Sequence, residues 1–235
     1  DTDSIYRMPL ILWQQQLDQI IAEHLKLRDI DLHRADLNDW HQIVANLDEA
    51  QLKNRVCTIG IVGKYTHLQD SYKSLNESLI HAGIAHRIKV IPRYIDAETV
   101  NTENAAEVLE GLQGIIVPGG FGERGIEGKI CAIRYAREKG VPFLGICLGM
   151  QLAAIEFARN VLGIKNASSS EFKIENAENI IVLKKEKKNT ITKGATMRLG
   201  AFPCDVTRGT KAWDAYQKDL IHERHRHRYE FNRNY

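Results

Sequence analysis

The stretch Val141–Gln151, V-P-F-L-G-I-C-L-G-M-Q, decides the fold. Val141, Phe143 and Leu144 form a short apolar run with no polar alternation, which predicts a strand covered on both faces. Gly145 and Gly149 stand two positions before and two after Cys147. A strand that turns straight into a helix needs small residues there, because side chains would collide across the bend. This is the logic of the nucleophile elbow G-x-S-x-G, with sulfur in place of the serine oxygen. At a helix N-terminus, free backbone N–H groups and the macrodipole both favour thiolate over thiol. The amide of Leu148, next in the chain, is placed to meet the oxyanion of a tetrahedral intermediate. The competing reading is a buried structural cysteine; it leaves the two flanking glycines unexplained.

Working outward, strands alternate with helices. Val56–Val62 (V-C-T-I-G-I-V) reads as a buried strand and Gly63–Gln69 as a loop. Asp70–Ala82 reads as a helix with Tyr72, Leu75 and Leu79 inward and Gly83 as its stop. Ile88–Ile95 is a second strand, Glu103–Leu112 a helix and Gly114–Val117 a third strand. Gly125–Lys139 is a helix with Ile126, Ile130, Ile133 and Ala136 on one face, and it leads into the Cys147 strand. This order predicts an α/β fold, an open and mostly parallel sheet with helices on both faces. Ligands of such sheets bind beyond the carboxyl ends of the strands, where the loops at Gly63, Pro118 and Gly145 gather. Pro118-Gly119-Gly120-Phe121-Gly122 follows the third strand, and its two glycines let the backbone approach a ligand closely. Gly119 or Gly120 can supply a second oxyanion donor opposite Leu148. Past Asn160 the rhythm loosens: Ile180–Leu183 reads as a strand, Lys184–Lys193 as a basic hairpin or arm with a solvated face, and Met197–Phe202 and the approach to His222 as further strands.

The N-terminal part differs. Residues 1–27 open extended, pass Pro9 and become helical, with Leu10, Trp13, Leu17, Ile20, Ile21 and Leu25 at helical spacing. An apolar stripe at the start of a chain needs a cover, from the following domain or from another one. Residues 28–54 are polar and charged and read as an interdomain linker with a helix, capped by Asp36 or Asn38, through Trp40, Ile43 and Leu47. Residues 55–235 form the main domain. The first residue is Asp, so the chain is expected to be a fragment.

Hydrophobic content of 43% supports a core, and a net charge of +2 gives no electrostatic case for nucleic acid or membrane partners. Apolar runs fall far short of a membrane span, and no secretory signal is present. Cys57, Cys131, Cys147 and Cys204 lie far apart with no C-x-x-C, which argues against a zinc site or disulfide framework and for a reducing, cytoplasmic compartment.

G-I-C-L-G-M-Q resembles the nucleophile motif of the class I, triad-type glutamine amidotransferases. With S-I-Y-R-M-P, G-G-F-G-E-R-G and E-R-H-R-H-R-Y-E, nearly the whole chain resembles the CTP synthase family within them. The resemblance implies that Cys147 attacks the side-chain amide of L-glutamine and forms a thioester, with the oxyanion held by Leu148 and by Gly119 or Gly120. It assigns glutamine binding to Gly119, Phe121, Leu148, Gln151, Glu171 and Arg228; an ammonium wants a carboxylate and a carboxylate an arginine. It implies GTP as allosteric activator, contacted by Lys64, Tyr65, Tyr72, Lys73, Phe121 and Arg124, although G-K-Y at Gly63–Tyr65 is not a Walker A loop. Core packing of its helix is the alternative reading of Tyr72.

The resemblance further implies that residues 1–27 are the tail of a synthetase (amidoligase) domain. There ATP and Mg2+ would support amination of UTP to CTP in a homotetrameric enzyme. The glutaminase domain itself needs no cofactor or metal. The family's His-Pro-Glu segment, source of the base and its orienting carboxylate, does not occur in these 235 residues, so the C-terminal part of the domain is expected to be missing and the chain inactive alone. His225, His227 and Glu230 are the substitutes at hand, in a run that the family uses for glutamine binding. Two alternatives stay open: another class I amidotransferase, such as the GMP synthetase type, and a non-catalytic module of the same fold.

Overall fold

The computed structural model describes residues 2–27, 35–64, 69–183 and 198–235. Two compact units emerge, one of residues 1–60, 65–94 and 111–113, the other of 61–64, 95–110 and 114–235. Strands β1 (Val56–Gly63) and β2 (Lys89–Asp96) contribute to both.

In the first unit, α1 (Met8–Gln14) begins with Pro9 in its first turn, where a missing N–H costs nothing. The single stripe expected of residues 10–25 is split: Gln16 takes a left-handed conformation, φ 59°, and a second helix, α2 (Leu17–His24), follows. Helix α3 (Asn38–Leu52) is longer than the expected linker helix, and Asp36 accepts from the Asn38 N–H at its start. Helix α4 (Lys73–His86) runs through Gly83 instead of stopping there. Gly83 serves close packing: a Cβ on it would lie 2.7 Å from the Ile88 carbonyl oxygen. The helix ends one turn later at Arg87, φ 55°.

In the second unit lie α5 (Ala105–Val108), β3 (Gly114–Val117), α6 (Ile126–Lys139), β4 (Phe143–Gly145), α7 (Leu148–Asn160), β5 (Ala167–Ser169) and β6 (Glu178–Leu183). The chain then forms β7 (Arg198–Asp205), α8 (Lys211–Tyr216), β8 (Leu220–His227) and β9 (Tyr229–Phe231). The parallel sheet flanked by helices is present, in the order β2-β1-β3-β4. Strands β3 and β4 pair in parallel, from Ile115 opposite Phe143 to Val117 opposite Gly145. That pairing needs a crossover, which α6 provides, burying Ile126, Ile130, Ile133 and Ala136 as its periodicity demands. Helix α5 is a single turn, shorter than the Glu103–Leu112 expected: it is capped at Leu109, φ −100°, and Gly111 turns the chain beyond it at φ 74°.

One expectation is corrected. The strand before Cys147 is not covered on both faces: β4 is the last strand of its sheet, and Leu144 is exposed. Its apolar character belongs to an edge whose neighbour on the other side, among the described residues, is not a strand. Beyond the main sheet, β6 pairs with β5 in parallel and with β9 antiparallel, while β7 and β8 form an antiparallel pair from Arg198 opposite His227 to Asp205 opposite Leu220. The basic segment Lys184–Lys193 lies outside the described residues.

Candidate active site

The elbow is built by contacts that leave no room for side chains. A Cβ on Gly149 would lie 2.0 Å from the Val117 carbonyl oxygen, and one on Gly145 would lie 2.6 Å from the Gly149 carbonyl carbon. Both glycines are therefore required by the close passage of helix over strand. Cys147 stands at the N-cap of α7 with φ 54° and ψ −108°. A non-glycine residue there costs about 1–3 kcal/mol, and such strain gathers at active sites. The fold holds it in place: Ile146 N–H donates to the Val117 carbonyl at 3.0 Å, and Gln151 N–H to the Cys147 carbonyl at 3.1 Å.

The Pro118–Gly122 loop lies against the sulfur. A Cβ on Gly119 would be 3.2 Å from the Cys147 Cβ and 3.7 Å from its Sγ. Of the two glycines left open as oxyanion donors, Gly120 presents its amide: the backbone N–H groups of Gly120 and Leu148 both hydrogen-bond the thiolate form and pull the thiol pKa down. Burial outweighs them and the Glu171 carboxylate adds to it, so the net shift of Cys147 is upward. The helix terminus alone does not lower the thiol against its burial.

Glu171 sits on the far side of the loop, accepting from Gly122 N–H at 2.9 Å. Lys64, at the end of β1, donates to the carbonyls of Phe121 at 2.7 Å and Gly122 at 3.3 Å, and Arg124 donates to the Lys64 carbonyl at 3.2 Å and pairs with Glu98 at 3.5 Å. The loop backbone is thus fixed by side chains at both flanks while the Phe121 ring stays exposed. Burial, then the Arg124 charge, lowers the Lys64 pKa. Gln151, 5% exposed, reaches from α7 to donate to the Tyr229 carbonyl at 3.3 Å. Gln151 and Arg228 line one cavity of about 190 Å³ together with His225, His227 and Glu230.

The second unit therefore brings together Cys147, Leu148, Gly119, Gly120, Phe121 and Glu171, and, on the C-terminal side of the elbow, Gln151 and Arg228. Lys64, from the end of β1, and Arg124 cluster about the loop that carries Phe121. Tyr72 and Lys73 belong to the other unit, where the Tyr72 ring is buried and stacks on Tyr94 with centroids 6.2 Å apart, the packing role read as its alternative. Tyr65 lies outside the described residues.

Two features were missed in the sequence. Lys129 of α6 is 1% exposed, with its Nζ 4.0 Å from the Cβ position of Gly120; burial first, then Lys64 and Arg124, lower its pKa to about 8. The signal was available, since position 129 falls on the apolar face of α6. Glu156 of α7, also 1% exposed, takes hydrogen bonds of 2.8–3.1 Å from Arg137 of α6 and one of 3.1 Å from Asn160. Among the described residues no group of three or more His, Cys, Asp or Glu could hold a metal ion, and no helix is long and apolar enough to cross a membrane.

Residues 67–235 match the family described as glutamine amidotransferase class-I. The chain is 51% identical to a CTP synthase of Maridesulfovibrio salexigens and 49% identical to one of Bacillus subtilis, with 99% of the chain aligned in each case and 44% and 42% of those proteins covered. It spans less than half the length of these relatives. A solved structure described as the Trypanosoma brucei CTPS glutaminase domain with bound acivicin superposes with a TM-score of 0.67 at 38% identity, covering 75% of this chain and 68% of that one. The elbow, the Gly119-Gly120 loop and these matches agree: the chain belongs to the class I glutamine amidotransferases, with CTP synthases as its relatives.

Proposed function

We propose that this chain is the glutaminase part of an enzyme that makes CTP. Cys147 attacks the side-chain carbonyl of L-glutamine, the oxyanion lies between the Gly120 and Leu148 amides, ammonia leaves, and water releases glutamate from the thioester. The observation that carries the reading is Cys147 itself, strained at φ 54° with two backbone donors on its sulfur. Glutamine is bound through Gln151, Glu171 and Arg228, with Gly119 and Phe121 along the loop. A cysteine pushed upward by burial fits a mechanism in which a separate base takes the proton. These 235 residues contain no His-x-Glu pair of the family pattern, so by themselves they form the thioester slowly and turn over poorly.

In the longer protein, ammonia passes to a synthetase domain that aminates UTP with ATP and Mg2+. Residues 1–27 belong to that domain, 28–54 to the linker and 55–235 to the glutaminase. GTP activates, with Lys64, Phe121 and Arg124 as the contacts for which the site offers support: an exposed ring for a base and cations for phosphate. The GMP synthetase alternative is not favoured, since the relatives at this identity are CTP synthases.

The test is covalent labelling with acivicin, the compound named with the trypanosomal structure. One adduct on Cys147, slowed by added glutamine and absent in Cys147→Ser, is expected. Labelling that ignores glutamine, or that persists in Cys147→Ser, would sink the assignment.

A further inference from the structure

The His225 and His227 imidazoles line the cavity of Gln151 and Arg228, and no role has been given to their contact with each other. They alternate inward on β8, and their Nδ1 atoms are 3.1 Å apart, within hydrogen-bond distance. Two Nδ1 atoms that face each other can share one proton. With none or one extra proton on the pair, one ring donates and the other accepts. With both rings doubly protonated, both Nδ1 atoms are donors, the hydrogen bond is lost and like charges oppose.

The surroundings sharpen this. From β7, Arg198 lies opposite His227 in the strand pairing and stacks its guanidinium 4.5 Å from the Phe202 ring centroid. Phe202 meets His225 edge-on, with centroids 5.5 Å apart. From α7, Gln151 is neutral; Arg228 comes from the turn before β9 and Glu230 from β9 itself. Arg198, Gln151, Arg228 and Glu230 line the same cavity of about 190 Å³ as the two imidazoles, while Phe202 backs His225 from outside its lining. Two arginines and a carboxylate lining one cavity suit a ligand that carries both a carboxylate and an ammonium, an α-amino acid zwitterion. Burial, then His225 and Arg198, lower the His227 pKa, so the second proton is resisted until the solution is acid.

We propose that the His225–His227 pair is a positioning element for glutamine, closing the wall that carries Arg228 only while the two imidazoles share a single Nδ1 proton. The inference rests on the glutamine reading of this cavity. The sign follows from the direction of the shift. A histidine held below its ordinary value favours the closed pair above that value, and the closed pair is lost as pH falls through it.

The experiment is calorimetric binding of glutamine to the full-length protein in a Cys147→Ser background, which removes both hydrolysis and thiol titration. Between pH 7.5 and pH 5.5 the Kd rises severalfold but less than about tenfold, the limit for one coupled proton with a midpoint at the ordinary value of about 6.5. In His227→Phe, and separately in His225→Phe, the ring remains, the shared proton is gone and the Kd changes less than about twofold over the same range. The parent's full rise retained in either variant overturns the proposal and leaves the glutamine reading standing. Glutamine that fails to bind at pH 7.5 overturns both. Imidazole NMR titration of the unaltered pair needs no substitution: a His227 midpoint at or above the ordinary value of about 6.5 overturns the shared-proton geometry.

Discussion

At Cys147, burial and backbone donors pull in opposite directions, and burial wins. The Glu171 carboxylate raises the thiol further. Glu171→Gln therefore lowers the pH midpoint for alkylation of Cys147 by iodoacetamide, read by peptide mass spectrometry to separate it from the other three cysteines; an unchanged or raised midpoint contradicts the electrostatic account. Lys129 gives the second prediction at this scale. Its folded pKa of about 8 lies below the ordinary lysine value of 10.5, so the folded state binds fewer protons between those values and stability rises with pH there. Lys129→Met is more stable than the parent at pH 7, by up to about 3 kcal/mol from the shift in pKa, and lacks the rise between pH 8 and pH 10. Urea titrations at pH 7 and pH 10 check both statements.

At the scale of elements, α6 and α7 flank Cys147, α6 following the Gly119-Gly120 loop and α7 beginning at Leu148. The Arg137–Glu156 pair ties these helices together at 2.8 Å, with Glu156 almost wholly buried. Removing the arginine strands a buried carboxylate, which costs about 3–5 kcal/mol. Arg137→Met is expected to lower the thermal midpoint by several degrees and Arg137→Lys by less, as measured by calorimetry. No loss in Arg137→Met would mean that Glu156 is satisfied without its partner. The alternation of β3, α6, β4 and α7 was legible because each element shows its period within a dozen residues. What was not legible was position within the sheet: an apolar run reads alike in a central strand and in β4, whose Leu144 is exposed. Gly83 was misread for a related reason, since its role depends on the Ile88 carbonyl packed against it and not on its place in the helix.

At the scale of the whole molecule, the first unit leaves Ile20, Ile21 and Leu25 of the α2 region about half exposed, at 56%, 47% and 60%. On the proposed division of the chain, the synthetase domain of the longer protein covers them. Ile21→Ser with Leu25→Ser in the full-length protein is expected to lower glutamine-dependent CTP formation severalfold while glutamine hydrolysis stays within about twofold; parallel loss of both would assign these residues to the fold of the glutaminase unit instead.

The sequence by itself determined the elbow with its cysteine, the strand–helix alternation and the glycine loop after the third strand, because each is written in neighbouring residues whose sterics and periodicity act locally. Only the tertiary structure decided which glycine amide meets the sulfur, that Glu171 holds Gly122 across 49 residues of chain, and that His227 lies opposite Arg198 and His225 opposite Gly200. It also decided the net direction of the Cys147 shift. Burial and Coulomb interaction are sums over atoms brought together from distant parts of the chain, and no local pattern contains those sums.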